Sequence, residues 1–273
     1  MIEINNSKRL SSEHNRALEN AVYALEKNSL VGNISEFTSK PVEELLLKVP
    51  KPIRKQVENS VERLTFKCLD LAIKSLDLKT VSNHQKFDTL YTGVVGGLGG
   101  IIGIGSLPIE LPVTTTLLLR SIAAIARNQG EDLSELDSRL ACVEVFALSR
   151  SIKKDPSTLS YYASRAMLSK LSNDAIRVMS ERSIAEVSSA AMGSIAAQTA
   201  TKYTTIVSEK VLAGAIPILG AIGGATVNII FLNYFKNLAH GHFTIRKLER
   251  IYGAEEVKTE FYLKLEEFKK LDA

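Results

Sequence analysis

Apolar residues recur at three- and four-residue steps along most of the chain, the period of a helix face, while strand-like alternation is nowhere sustained. This spacing predicts a short amphipathic helix over 15–30. It predicts a stronger one opened by Pro52, on which Ile53, Val57, Val61, Leu64, Cys68, Leu71 and Leu78 share a face. A polar break at 82–86 precedes Asp88, a capping residue for the next helix. After Pro112 the pattern resumes through Leu117, Leu118, Ile122 and Ile125 to Gly130, a good C-terminal stop. Ser134 with Asp137 resembles a capping arrangement for a helix through Val145 and Leu148. Asp155-Pro156 starts another segment, and 174–202 is an alanine- and serine-rich helical region. Beyond Pro217 a helix is expected to run toward Tyr252 and stop at Gly253, followed by an amphipathic, charged terminal helix over 255–271.

Two stretches interrupt the amphipathic pattern. Residues 89–109 and 211–235 carry no charge and are dense in glycine. About 20 uncharged, largely apolar residues is the length at which a buried helix and a membrane-spanning helix are hard to tell apart. Gly93 and Gly97, Gly96 and Gly100, Gly99 and Gly103, and Gly220 and Gly224 are each four apart, so small residues stack on shared helix faces. Such faces let two backbones approach closely, in a membrane or in a soluble core. Pro108, Pro112 and Pro217 are expected to break or restart the helices. The fold expected is therefore all-α, a multi-helix bundle with two glycine-rich, proline-broken apolar helical hairpins. Its organisation reads as an N-terminal amphipathic region (1–85), a core carrying the glycine-rich segments (86–253) and a C-terminal helix packing on that core (254–273).

With 273 residues, 45% hydrophobic and 23% charged, the chain is able to build a sizeable core. A formal net charge of +4 is only mildly basic and argues against a dedicated nucleic-acid binder. The first twenty residues contain no apolar run of the kind a secretory signal needs, and Cys68 and Cys142 sit among apolar helix positions without redox or metal spacing. Reduced, buried thiols and a cytoplasmic location are expected. The glycine run lacks a P-loop ending and a GxGxxG, and HExxH, CxxC and GxSxG are all missing. His240 and His242, two apart on a helix, point about 200° from each other and are poorly placed to share an ion. No catalytic residue, metal or cofactor is expected.

The stretch GVVGGLGGIIGIGSLPIELPVTTTLLLRSIAAIARNQGEDLSELDSRLACVEVFALS resembles the EcsC family, with a glycine-rich run, an acidic residue before a proline, and an arginine-containing helix ending in glycine. The later stretch AGAIPILGAIGGATVNIIFLNYFKNLAHGHFTIRKLERIYG is similar to the second part of the same pattern, and together they cover roughly 86–253. The resemblance implies a bacterial helical protein, named for association with an ABC-transporter operon. Some relatives carry peptidase-like names, which no residue pattern here supports.

Five polar positions in or beside the apolar segments are candidate ligand-binding residues: Glu110, Arg120, Asn228, His242 and Arg246. Buried charges demand partners. Glu110 is therefore expected either to pair structurally with Arg120 or Arg246, or to help form a polar site for a lipid headgroup or other ligand. Asn228 cross-links helices or lines a site. His242 and Arg246, one turn apart, form a helix-face pair or bind a phosphate. Two functional classes follow. One is a non-enzymatic accessory protein, lipid-interacting or linked to an ABC-transporter-like membrane protein and peripheral to the inner face of the membrane, with Lys86, Arg120, Lys210 and Lys236 near the ends of its uncharged runs. The other is a soluble helical enzyme of hydrolase or peptidase type built around Glu110, Arg120 and His242. No feature of the sequence specifies an oligomeric state.

Overall fold

The computed structural model describes residues 10–30, 32–33, 107–149, 160–178, 202–203, 206–207, 210 and 224–271, with the backbone alone described at 107–113, 136, 171–178 and 224–228. Six α-helices and one π-helical turn account for most of these residues, with no strand among them: α1 (Ser12–Val22), the π turn (Tyr23–Lys27), α2 (Leu107–Asn128), α3 (Leu136–Ala147), α4 (Tyr161–Val178), α5 (Gly224–Tyr252) and α6 (Ala254–Leu271). The all-α expectation holds.

Local chemistry accounts for most boundaries. Ser11 caps α1 by accepting from the His14 N–H at 3.2 Å. The helix expected over 15–30 does not continue evenly. It widens into the π turn, closed by the Asn28 N–H donating five residues back to the Tyr23 carbonyl at 3.2 Å. Gly130 ends α2 at φ +86°, while the Glu131 N–H reaches back to the Ala126 carbonyl at 3.0 Å; Gly253 separates α5 from α6 at φ +101°. Both positions favour glycine because a Cβ is strained in the left-handed region.

Two local expectations are corrected. Pro112 does not start a helix: α2 begins at Leu107 and passes through both Pro108 and Pro112. Pro108 lies in the first turn, where a missing N–H costs no hydrogen bond, whereas Pro112 costs one, which the surrounding turns of a 22-residue helix absorb. Nor does Ser134 cap α3. The N-cap is Glu135, without a side-chain bond, because Asp132 accepts from both the Ser134 N–H (2.9 Å) and its hydroxyl (2.7 Å).

The centre of the assembly is α5. Its 29 residues, about 43 Å at 1.5 Å per residue, pack against α1, the π turn, α2, α3 and α6. Phe231, Tyr234, Phe235, Leu238, Ala239, Phe243, Ile245 and Leu248 supply its buried stripe. Phe146 of α3 and Tyr203 stack at 4.3 Å between ring centres and both meet Phe235, and Tyr203 is tied to Thr115 of α2 by a 3.0 Å hydroxyl–hydroxyl bond. Val257, Phe261 and Leu265 dock α6 on the same core, each large side chain contributing about 2–3 kcal/mol of apolar burial. The close approach of α1 to α5 occurs at Gly241, where a methyl group would meet Leu25 Cγ at 2.9 Å and the Ala21 carbonyl at 3.2 Å.

Among the described residues no helix is long and apolar enough to cross a membrane. The helix opened by Pro52, the break at 82–86, Gly93, Gly96, Gly97, Gly99, Gly100 and Gly103, Asp155-Pro156, Pro217, Gly220 and Cys68 lie outside those residues. Gly224 is the first residue of α5.

Candidate functional site

The second half of α5 carries His242, Arg246, Glu249 and Arg250 at helix-face spacing, and each meets a partner from α3, α4 or the α2–α3 connection. Glu131, in that connection, is the hub. Arg246 grips it with two bonds, Nε to Oε1 at 3.0 Å and Nη2 to Oε2 at 2.8 Å. Arg250 donates to Oε1, and the Ser138 hydroxyl donates to Oε2 at 2.9 Å. Arg246 also reaches Asp137 at 2.7 Å, and Arg250 donates to the Gln129 carbonyl at 2.6 Å, covering one of the free carbonyls at the end of α2. Burial alone would raise the Glu131 pKa. The hydrogen bonds and charge of Arg246, aided by Arg250 and Ser138, outweigh it and hold the carboxyl at about 2.

A second layer lies toward α4. Arg165 donates to both oxygens of Glu249 at 2.8 Å, and the Tyr162 hydroxyl donates to Glu249 Oε1 at 3.0 Å. The Tyr161 N–H, at the start of α4, donates to Glu26 of the π turn at 2.7 Å, a carboxylate placed where the helix dipole favours one. Tyr161 also shares a 3.0 Å hydrogen bond with His242 Nδ1.

His242 has no exposed surface, and its Nε2 is the one fully buried side-chain nitrogen or oxygen without a hydrogen bond among the described residues. It faces Glu144 Oε2 at 3.9 Å, beyond hydrogen-bond reach. Desolvation pushes His242 well below its usual range, reinforced by Arg165 and Arg246, and pushes the Glu144 carboxyl up despite the same two arginines. The two groups are thus driven toward neutral forms, and their contact is not an ion pair. Beside them, burial raises the Cys142 thiol to about 12, which makes it a poor nucleophile.

Of the residues singled out in the sequence, His242 and Arg246 enter this network. Arg246 takes Glu131 and Asp137 as its carboxylates, not Glu110, and its guanidinium is already occupied where a phosphate would have to bind. Arg120 is buried in α2, with its pKa lowered by desolvation. Glu110 falls in the first turn of α2 and Asn228 in the first two turns of α5, positions whose side chains lie outside those described. His240 and His242 take opposite sides of α5, one exposed and one buried. No cluster of histidine, cysteine or carboxylate groups suited to a metal occurs among the described residues.

Sequence reasoning missed Glu131, Glu144, Tyr161, Arg165 and Glu249. The available signal was the stripe from His242 through Arg246 to Glu249, polar positions at helix spacing beside a run of buried aromatics. Chemically, the arrangement locks four elements together through mutually satisfied charges, with an inaccessible neutral histidine at its centre.

The model of the EcsC protein family matches residues 12–248, from the first residue of α1 almost to the end of α5. No curated protein and no solved structure matches the chain. The family match thus takes in most of α5, the hub carboxylate Glu131, and His242 and Arg246, with Glu249 and Arg250 just beyond its end, and the chain belongs to the EcsC protein family.

Proposed function

We propose that this EcsC-family chain is a non-catalytic accessory protein that works at a membrane surface, in contact with lipid or with an ABC-transporter-like membrane protein. The supporting observation is the lengthwise polarity of α5. Its first half belongs to an uncharged run and presents Ile229 at 48% exposure, while the second half carries the ionic lock. An exposed branched aliphatic residue in a run without a single charge is suited to an apolar environment. The basic flanks contribute less than their positions suggest. Arg120 is buried, and Lys210 is buried against the Phe231 ring at 5.1 Å, so apolar contact is expected to dominate.

Flotation of detergent-free protein with liposomes tests this. Association with neutral and anionic vesicles alike that persists at high salt is the expected result, weakened in Ile229→Asp. Flotation lost with salt would reduce the contact to surface charge. A monodisperse sample that never floats would place both uncharged runs in a soluble core.

A hydrolase-type reading retains one specific observation, the unpaired Nε2 of His242 facing Glu144. Against it, His242 is fully enclosed and Glu144 is 8% exposed, so a substrate in water meets neither. Peptide or ester hydrolysis abolished by His242→Gln in a folded variant would restore that reading.

A further inference from the structure

A groove of about 630 Å³ opens on the face of α5 opposite His242, between α5, the end of α1 and the π turn, a volume within the range of small-molecule sites. Its polar lining is Asn20, Asn28, Asn33, Asn237, His240 and Thr244. In a chain with 23% charged residues, none of the described residues lining this groove carries a carboxylate, ammonium or guanidinium. Four asparagines line it instead, and none makes a side-chain hydrogen bond among the described residues. Asn28 lines the groove at only 8% exposure, which fixes its place at the junction of the π turn and α5.

The backbone builds this place in two ways. Gly241 lets α1 sink onto α5 and form the floor with Ala21 and Ala24. The π turn, a rare conformation that concentrates at functional sites, turns Glu26 inward to α4 and leaves Tyr23 and Asn28 on the groove. Tyr23 is 58% exposed, and its ring is steadied edge-on by Phe268 of α6 at 6.2 Å. Burial, with Lys236 nearby, lowers the His240 pKa and favours the uncharged imidazole.

We infer that this groove binds a neutral, hydroxyl-rich ring: a saccharide or cyclitol, free or as the headgroup of a glycolipid. Amides present a donor and an acceptor together, matching vicinal hydroxyls, while the alanine floor and the Tyr23 ring suit the apolar C–H face of such a ring. An anion would find no cation among the described lining residues, and a cation no carboxylate. The assignment does not rest on the membrane reading.

The test is saturation-transfer NMR on the full chain with glucose, N-acetylglucosamine, maltose, myo-inositol and glucose 6-phosphate, followed by titration of whichever responds. At least one neutral probe is expected to bind, more tightly than glucose 6-phosphate. Asn20→Ala/Asn237→Ala should weaken it roughly thirtyfold, two hydrogen bonds at about 1 kcal/mol each setting the scale. Both residues are exposed, so the variant should melt with wild type; Asn237→Trp, which fills the groove, serves as a second block. Vesicles with and without diglucosyl-diacylglycerol separate the sources: a gain in flotation with the glycolipid marks a headgroup, and binding of free sugar alone marks a soluble ligand. No transfer from any neutral probe together with no glycolipid-dependent gain, binding unaffected by both variants, or preference for the phosphate would each overturn the assignment. Free-sugar binding without flotation would retain it while sinking the membrane proposal.

Discussion

Glu131 joins Arg246, Arg250 and Ser138 at a point where its side chain is 2% exposed, so its ionisation is a property of the fold. Its carboxyl is held at about 2 against an ordinary 4.5. A depressed carboxyl contributes stability that is fully present above the ordinary value and is lost as pH falls through the folded one, here between 4.5 and about 2. Glu131→Gln is expected to lose roughly 3 kcal/mol at neutral pH, because Arg246 is left largely buried with one exposed carboxylate. It should also flatten the acid limb of a urea-denaturation series. Glu144 has the opposite sign. Its raised pKa costs stability as pH climbs from the ordinary carboxyl range toward the folded value. Glu144→Gln should therefore be neutral or stabilising at about pH 8, with a shallower alkaline slope. A loss above ~1 kcal/mol there would mean that ionised Glu144 supports Arg165 or Arg246 after all.

Among the helices and their junctions, the glycines divide by mechanism. A methyl group at Gly253 would meet nothing within 4 Å, but the residue sits at φ +101°, so Gly253→Ala should cost about 1–2 kcal/mol from backbone strain alone. Gly241 is an ordinary helical residue that a Cβ would push against Leu25 and a backbone carbonyl. The helix propensity gained by Gly241→Ala, about 1 kcal/mol, opposes a steric cost of about 1–3 kcal/mol. The carbonyl cannot swing aside as a side chain would, so a net loss is expected, read as a lower melting temperature together with faster proteolysis of α1. An unchanged protein would show that α1 rides on α5 more loosely than its buried Leu18, Val22 and Leu25 indicate.

Across the molecule as a whole, α6 lies beyond the matched family span yet is integral to the core. Phe261 meets the rings of both Tyr161 and Tyr162, at 5.5 and 5.1 Å, and so backs the tyrosines that contact His242 and Glu249. Deleting residues 254–273 is expected to uncover this aromatic face and produce an aggregation-prone or molten chain, visible as dye binding and lost cooperativity in thermal unfolding. A cooperative, monodisperse truncation would make α6 an accessory layer.

The helical class, the family, the ends of α2 and α5, and the terminal helix α6 are legible in one dimension, because period, glycine stops and ordered motifs are local properties. The same reading marks His242 and Arg246 as polar residues that need partners. Which partners they take depends on how the chain folds back on itself. Glu131 lies 115 residues from Arg246, and Tyr161 lies 81 from His242, distances over which spacing carries no information. Pro112 likewise reads as a helix start, but a long helix packed on α5 can absorb one lost hydrogen bond. The asparagine groove was the least legible feature. Its residues come from α1, the residues after the π turn and α5, each unremarkable alone, and only the close approach at Gly241 makes them one surface.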